Sequence, residues 1–340
     1  MQKKAKTYFF EQPPVIKASA GVVGKKEGEG PLRDDFDQIF EDTTMGQDSF
    51  ELAESAMLHD AIIRALSKAN TSPTEVDFIL CGDLLDQCVG SCFALKDLEI
   101  PFVGMYGACS TMALTLCNAS MLVEAGAKRC VAAASSHFAS SERQFRFPLE
   151  YGGQRPPTAQ WTVTGAGAAV VENAQISTDN SANLPKIKAV HIGTITDLGI
   201  KDANNMGAAM APAAARTISG FLDDTKTSAD DYDLILTGDL GFTGTKLLHQ
   251  IMQIDYGKDI ENVHNDCGLL IYNLKEQDVN SGGSGCGCSA SVVCSHILKQ
   301  MNCGKLKRVL FVATGALMSP TSSKQGQPIP GIAHAVLLES

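Results

Sequence analysis

Charge is scarce in this sequence. Asp, Glu, Lys and Arg make up 19% of 340 residues, acids outnumber bases, and the formal net charge is −10. No basic stripe interrupts that balance, so the electrostatic footprint of a nucleic-acid binder is missing and that class of partner is excluded. Long apolar runs are missing as well: no window reaches the roughly 20 residues needed to cross a bilayer. Met1 to Lys6 leads into no apolar stretch of signal type, so cytoplasmic synthesis without a signal peptide is expected. Gly165-Ala166-Gly167 does not continue into a dinucleotide fingerprint, which removes the usual signal for such a cofactor. Eleven cysteines are present, an odd number scattered through apolar segments, and none of their spacings is a standard zinc pattern. Thiols in a reducing compartment are expected rather than disulfides.

What is abundant is small and apolar, with hydrophobic residues at 44% and 31 glycines, a composition suited to helices packed closely on a sheet. The chain is organised around Gly107-Ala108-Cys109-Ser110. This stretch ends the apolar run Ile100 to Tyr106 and opens a small-residue helix, Thr111 to Ala119. A thiol at a helix N-terminus meets free N–H groups and the positive end of the helix dipole, which favour the thiolate. Cys109 therefore reads either as a nucleophile, as the lining of an anion pocket, or as a small buried filler.

Along the chain, strands are expected at Val15–Val23, Val76–Cys81, the run into Cys109, Cys130–Ala134, Trp161–Val171 and Lys186–Gly193. Helices are expected over about 49–70, a turn at Ser72–Glu75 with a capping-box pattern, 87–96, and from Thr111 to a close at Gly126. Ser135–Pro157 reads as irregular and carries Arg143, Arg146 and Arg155 among Phe145, Phe147 and Tyr151. It is either a solvated insertion or a pocket-gating or partner element. Asn173–Leu184 reads as a linker.

The chain also repeats itself. Val76 to Leu84 matches Tyr232 to Leu240, so Asp83 and Asp239 end equivalent strands. Ala108-Cys109-Ser110 matches Gly287-Cys288-Ser289, and Lys128-Arg129 matches Lys307-Arg308. Two copies of one βαβ-type unit, 1–172 and 186–340, are expected to form one compact α/β body with a mostly parallel sheet. Equivalent loops then meet near a pseudo-two-fold axis, with Cys109 facing the Ser281–Gly285 loop. Ligands of open α/β sheets gather at strand carboxyl ends.

A duplicated α/β unit with Ala-Cys-Ser opening its first buried helix resembles the thiolase-like superfamily. Ala69 to Leu80 and Thr164 to Val170 are similar to segments of ketoacyl-synthase III-type condensing enzymes. The resemblance implies a layered α/β/α/β/α arrangement and a two-fold homodimer with the sheet continuing across the interface. It also implies a catalytic histidine where this chain has Thr237 to Phe242, and an asparagine where it has Gly282 to Gly285. Asp239 is an acceptor when ionised and would repel a developing oxyanion rather than stabilise it.

Met206 to Ala215, Cys81 to Gln87 and Gly107 to Ser110 further resemble a thiolase-like family from the spore-core loading machinery of endospore-forming bacteria. That resemblance implies a non-catalytic protein binding dipicolinic acid, as such or as the calcium chelate. Its implied partners are membrane-embedded proteins of the same system, and its implied place is peripheral to the spore inner membrane. No cofactor is expected beyond calcium arriving with the ligand. The candidate ligand-binding residues are Cys109, Ser110, Asp83, Asp239, Met112, Gly283 and His137. Cys109 and Ser110 would present a helix N-terminus to a carboxylate, and the aspartates would meet calcium or serve as strand-end turns. The alternative is a cysteine acyltransferase using acyl-CoA or an acyl carrier, with His137 as the nearest candidate base. A metal site from His264, Cys267, Cys286, Cys288 and His296 is the least favoured reading.

Overall fold

In the computed structural model, which describes residues 1–146, 154–177 and 184–340, the two halves run through the same elements in the same order. The first half has β1 (Val15–Gly24), α1 (Phe50–Lys68), β2 (Phe78–Gly82), α2 (Val89–Leu95), β3 (Phe102–Gly104), α3 (Thr111–Glu124), β4 (Arg129–Ser136) and β5 (Gly165–Glu172). The second has β6 (Lys186–His191), α4 (Met206–Thr225), β7 (Leu234–Thr237), α5 (Gly241–Tyr256), β8 (His264–Asp266), α6 (Cys286–Val292), β9 (Arg308–Ala316) and β10 (Gly331–Glu339). A π turn, Val293–Ile297, carries α6 on into Leu298–Asn302.

Local chemistry sets the element boundaries. Ser49 caps α1 by accepting from the Leu52 N–H at 3.2 Å, and Asn205 caps α4 through the Ala208 N–H at 3.3 Å. Ser72 and Glu75 close the expected capping box on a turn of 3-10 helix, Pro73–Glu75.

The strands follow the order β8-β7-β9-β10-β6-β1-β5-β4-β2-β3, a palindrome of the repeat. Its two five-stranded halves are joined through a single residue pair, Lys186 opposite Val15. Thr7–Phe9 crosses over to pair with β6, strapping the start of one half onto the other. The sheet is mixed, which corrects the expectation of a mostly parallel one. In the first half β2 runs parallel to β3 and β4, but β5 is antiparallel to both β4 and β1. The second half repeats this. The cause is the connection from β4 to β5: the described part of it holds only the one-turn helix Glu142–Phe145. Parallel neighbours need a crossover; strands that pair without one run antiparallel.

The expected strand Trp161–Val171 is also split. Trp161–Thr162 pairs with Gly283–Ser284 in a separate ribbon. The chain then bends at Thr164, whose N–H donates to Glu27 Oε1 at 3.1 Å and whose carbonyl accepts from the Gly24 N–H at 2.9 Å. Phe147 and Tyr151, and the middle of the 173–184 linker, lie outside the described residues.

Helices α3 and α6 pack between the two half-sheets. The pair α1 and α2 covers the outer face of one half-sheet, and α4 and α5 that of the other. This is the expected α/β/α/β/α layering. The central helices are buried nearly all round, as a helix between two sheets must be. All seven residues of α6 are buried, as are Met112, Ala113, Leu116, Cys117 and Ala119 of α3. Close approach depends on missing side chains. A Cβ at Gly167 would lie 2.1 Å from the Ala290 carbonyl oxygen, so the Gly165–Gly167 pattern serves helix–sheet packing. Among the described residues, no helix is long and apolar enough to cross a membrane.

Gly167→Ala should therefore lower stability by about 1–3 kcal/mol through overpacking against backbone. A thermal midpoint unchanged from the parent would show that α6 moves aside freely.

Candidate functional site

The turn carrying Cys109 is built by its own side chains. Ala108 sits at φ +49°, the left-handed region that L residues avoid. Ser110 Oγ donates to the Gly107 carbonyl at 2.6 Å, and Thr111 Oγ1 donates to the Ala108 carbonyl at 2.7 Å. From the other half-sheet, Gly315 presses on this turn: a Cβ there would meet the Gly107 oxygen at 2.5 Å. The Ser110 hydroxyl is thus consumed in folding the turn.

Cys109 is 5% exposed. Its Sγ lies 4.0 Å from Ser284 Oγ, and Ser284 Oγ donates to Asp239 Oδ2 at 3.1 Å. The same carboxylate accepts from the Gly285 N–H at 2.9 Å and from Thr314 Oγ1 at 2.8 Å. Gln160 holds the turn from behind, its Nε2 donating to the Asp239 carbonyl at 2.6 Å and the Gly283 carbonyl at 2.8 Å. The repeat thus brings Asp239 and the Gly283 loop to Cys109. Ser284 and Gly285 belong to the loop expected to face Cys109; Thr314 and Gln160 were not foreseen. Only the pairing of β9 with β7, which puts Thr314 beyond the Asp239 strand end, could have flagged one of them.

Burial pushes the Cys109 thiol well above the ordinary thiol range, and the Asp239 charge beside it adds to the rise. This reverses the expectation of a thiolate. A helix N-terminus favours the anion by about 1 kcal/mol, less than desolvation and a neighbouring carboxylate cost it. Asp239 is itself pushed up to about 6 by burial. Asp266, which accepts from Thr237 Oγ1 at 2.7 Å and from the N–H groups of Leu240 and Gly241, is pushed up to about 7 for the same reason.

Asp83, the repeat partner of Asp239, makes a closed strand-end turn. It accepts from the Leu85 N–H at 2.9 Å and from Ser91 N–H and Oγ at 2.7 and 2.6 Å. Burial raises it, and its charge also raises Glu54, which is held by Ser135, Ser140 and Ser141. Cys286 Sγ donates to the Ser135 carbonyl at 2.8 Å, and burial pushes its thiol well above the ordinary range. Met112 is fully buried, and Gly283 is pressed between Ile271, Val163 and Cys288.

His137 is not placed as a base or a ligand. Its Nε2 bonds the Thr43 carbonyl at 2.9 Å, its Nδ1 accepts from the Ala139 N–H at 3.2 Å, and its ring stacks between Phe50 and Phe138. Burial pulls its pKa down to about 4. The five residues of the metal reading are dispersed: His264 bonds Thr237 and His249, and His296 bonds Asp35. No group of three or more such side chains able to hold a metal occurs among the described residues. Of the three arginines, Arg143 pairs with Glu51 at the surface, while Arg146 and Arg155 converge on Glu142 indoors.

A family model described as stage V sporulation protein AD (SpoVAD) matches residues 4–339. The chain belongs to this family. The chain is 48% identical to the stage V sporulation protein AD of Bacillus subtilis (strain 168) over 334 residues, 98% of this chain and 96% of that protein. Its fold is similar to 3-oxoacyl-[acyl-carrier-protein] synthase III from Aquifex aeolicus, at 15% identity, covering 96% of this chain and all of that one, with a TM-score of 0.55. It is similar to cerulenin-bound OleA from Xanthomonas at 14% identity over the whole of both chains, with a TM-score of 0.63. It is also similar to human mitochondrial 3-ketoacyl-CoA thiolase at 12% identity, covering 98% of this chain and all of that one, with a TM-score of 0.59. These likenesses establish the thiolase-like fold of the chain.

Two measurements follow from its buried groups. In the folded chain, iodoacetamide near neutral pH should label exposed Cys92 and Cys303 and leave Cys109 unmodified until unfolding. Peptide mapping that finds Cys109 labelled as fast as Cys92 would mean a thiolate. Stability should also depend on pH. Asp239 and Asp266 keep protons in the folded state up to about pH 6 and 7, whereas the ordinary value of 3.8 governs the unfolded chain. Between those limits the folded state binds more protons, so stability falls as pH rises from about 4 to about 8. Asp266→Asn should flatten that fall in a series of thermal melts.

Proposed function

We propose that the protein is a non-catalytic binding protein for dipicolinic acid, carried as the calcium chelate. It would aid uptake into the developing spore across the inner forespore membrane, together with membrane-embedded proteins of the same loading system. The observation that carries this reading is the Cys109 thiol, held protonated against Asp239 with no histidine bonded to it among the described residues. A nucleophile needs a base or a lowered pKa, and this thiol has neither. Acyl transfer through Cys109 would lack both its attacking anion and its oxyanion donors.

The same acids that disable nucleophilic chemistry suit a cation-bearing ligand. Asp83, Glu54, Asp239 and Asp266 are all buried and all raised. A free dicarboxylate would meet repulsion there, and its calcium chelate would not. Just past the Asp83 strand end, a cavity of about 430 Å³ is lined by Leu84, Leu85, Asp86, Gln87, Tyr106 and Met318. It lies along the chain from the Cys109 turn on one side and from Gly315 on the other. Left-handed Gln87 (φ 61°) and Cys88 (φ 54°) sit at its edge, strain of the kind that gathers at ligand sites. The volume suits a small planar ligand.

Titration calorimetry with dipicolinate, with and without calcium, tests the reading. Expected is one saturable site that requires or is strengthened by calcium and weakens at least about tenfold in Asp239→Ala. No heat under any condition removes the ligand, and turnover of an acyl thioester through Cys109 would establish the acyltransferase instead. We also propose a two-fold homodimer through β3, an edge strand whose Phe102 and Val103 are exposed beside Tyr106 and Phe93. Light scattering of Val103→Lys should then give half the parent mass; a parent that is already monomeric would dismiss the interface.

A further inference from the structure

Away from Cys109, one group of buried side chains holds more positive charge than its partners return. Glu142, Arg146, Arg155, Gln160, Trp161 and Lys26 converge where the segment after β4 packs against the residues after β1. The side chains of Glu142 and Arg146 are each 6% exposed, and that of Arg155 is 11% exposed. Arg146 gives Nε to Glu142 Oε1 at 2.7 Å and Nη2 to the Gln160 carbonyl at 2.9 Å. Arg155 gives Nη2 to both Glu142 oxygens, at 3.1 and 3.0 Å. Arg146 Nη1, Arg155 Nε and Arg155 Nη1 remain buried with no partner among the described residues.

The charge does not balance. The Arg155 guanidinium and the Lys26 ammonium each stand 4.2 Å from the centre of the Trp161 indole. Burial pulls Lys26 below its ordinary value and the nearby guanidinium adds to it, while Asp278, Glu27 and Glu29 act in the opposite direction. Among the described residues, two guanidiniums thus share the one carboxylate of Glu142. Glu27 is close by, but burial pushes it up to about 7 and it is bonded to Tyr272 and the Thr164 N–H. A buried water could satisfy a stray N–H, yet it would leave the excess charge. An oxyanion answers both at once.

We propose that Arg146 and Arg155, backed by Lys26 and Trp161, form a second ligand site that takes a carboxylate or phosphate group. The orientation of Gln160 is fixed by the two carbonyls that its Nε2 serves. Its Oε1 is therefore an unpartnered acceptor at the same place, able to take a hydroxyl or water that accompanies the anion. Because that same amide holds the Asp239 turn, the two sites share one wall. The proposal does not depend on what occupies the Cys109 site.

Trp161 is the single tryptophan of the chain, and two of the cations lie on it. Its emission therefore reports the site directly. The full chain would be titrated at low ionic strength with inorganic phosphate and with dipicolinate, using chloride as the ionic-strength control. Expected is a saturable change with at least one oxyanion and not with chloride, and which oxyanion acts separates phosphate from carboxylate chemistry. The change should persist in Cys109→Ala and weaken about tenfold in Arg155→Lys, which keeps the charge and loses the fork. Arg146→Lys should weaken it similarly and decides the matter if Arg155→Lys melts early. A flat titration, a response matched by chloride, loss of the response in Cys109→Ala, or full affinity in a folded arginine variant would each overturn the site.

Discussion

The Asp239 carboxylate organises the centre of this molecule. It sits at the end of a buried strand and draws in the Gly285 N–H, the Ser284 hydroxyl and the Thr314 hydroxyl from two other segments. Cys109 from the opposite half closes the group. A buried carboxylate is costly unless its lone pairs are used, and these three donors use them. Removing the acid would strand the donors as well, so the loop, the strand end and the thiol turn stand or fall together.

Asp83 provides the contrast. The duplication puts it at the matching strand end, but its bonds go to Leu85 and Ser91 within one local turn. One copy of the unit spends its aspartate on its own loop; the other gathers distant segments of its half and stands against Cys109 of the opposite half. The two copies have diverged at this position within an otherwise repeated frame, and the thiolase-like fold by itself does not dictate chemistry.

The fold was legible because the repeat and the small-residue helices leave strong marks in sequence. The five-layer order came from the resemblance to the thiolase-like superfamily that these marks carried. The direction of β5 did not, since strand alternation carries no sign of polarity when the intervening helix is missing. Site legibility stopped at burial. Cys109 and Asp239 were visible as residue types at strand and helix ends, but whether a thiol is anionic depends on which charge the fold sets beside it, and no local pattern contains that. His137 looked available because it follows a strand; Thr43 and the Ala139 amide, far and near in sequence, take both of its nitrogens. Arg146 and Arg155 read as surface charge in a polar segment, and their enclosure emerges only when Glu142 and Trp161 fold over them.

The crossing of Thr7–Phe9 onto β6 has a consequence for biosynthesis. The strap is made early, yet its pairing partner Lys186–His191 follows only after most of the first half has been translated. At about 5–20 residues per second the wait is on the order of ten seconds or more. Strand β10, which lies between β9 and β6 in the second half-sheet, emerges later still. During that interval the nascent first half carries a leading hairpin, Gln2–Lys4 with Thr7–Phe9, whose outer edge still waits for its partner, and an uncovered face of α3.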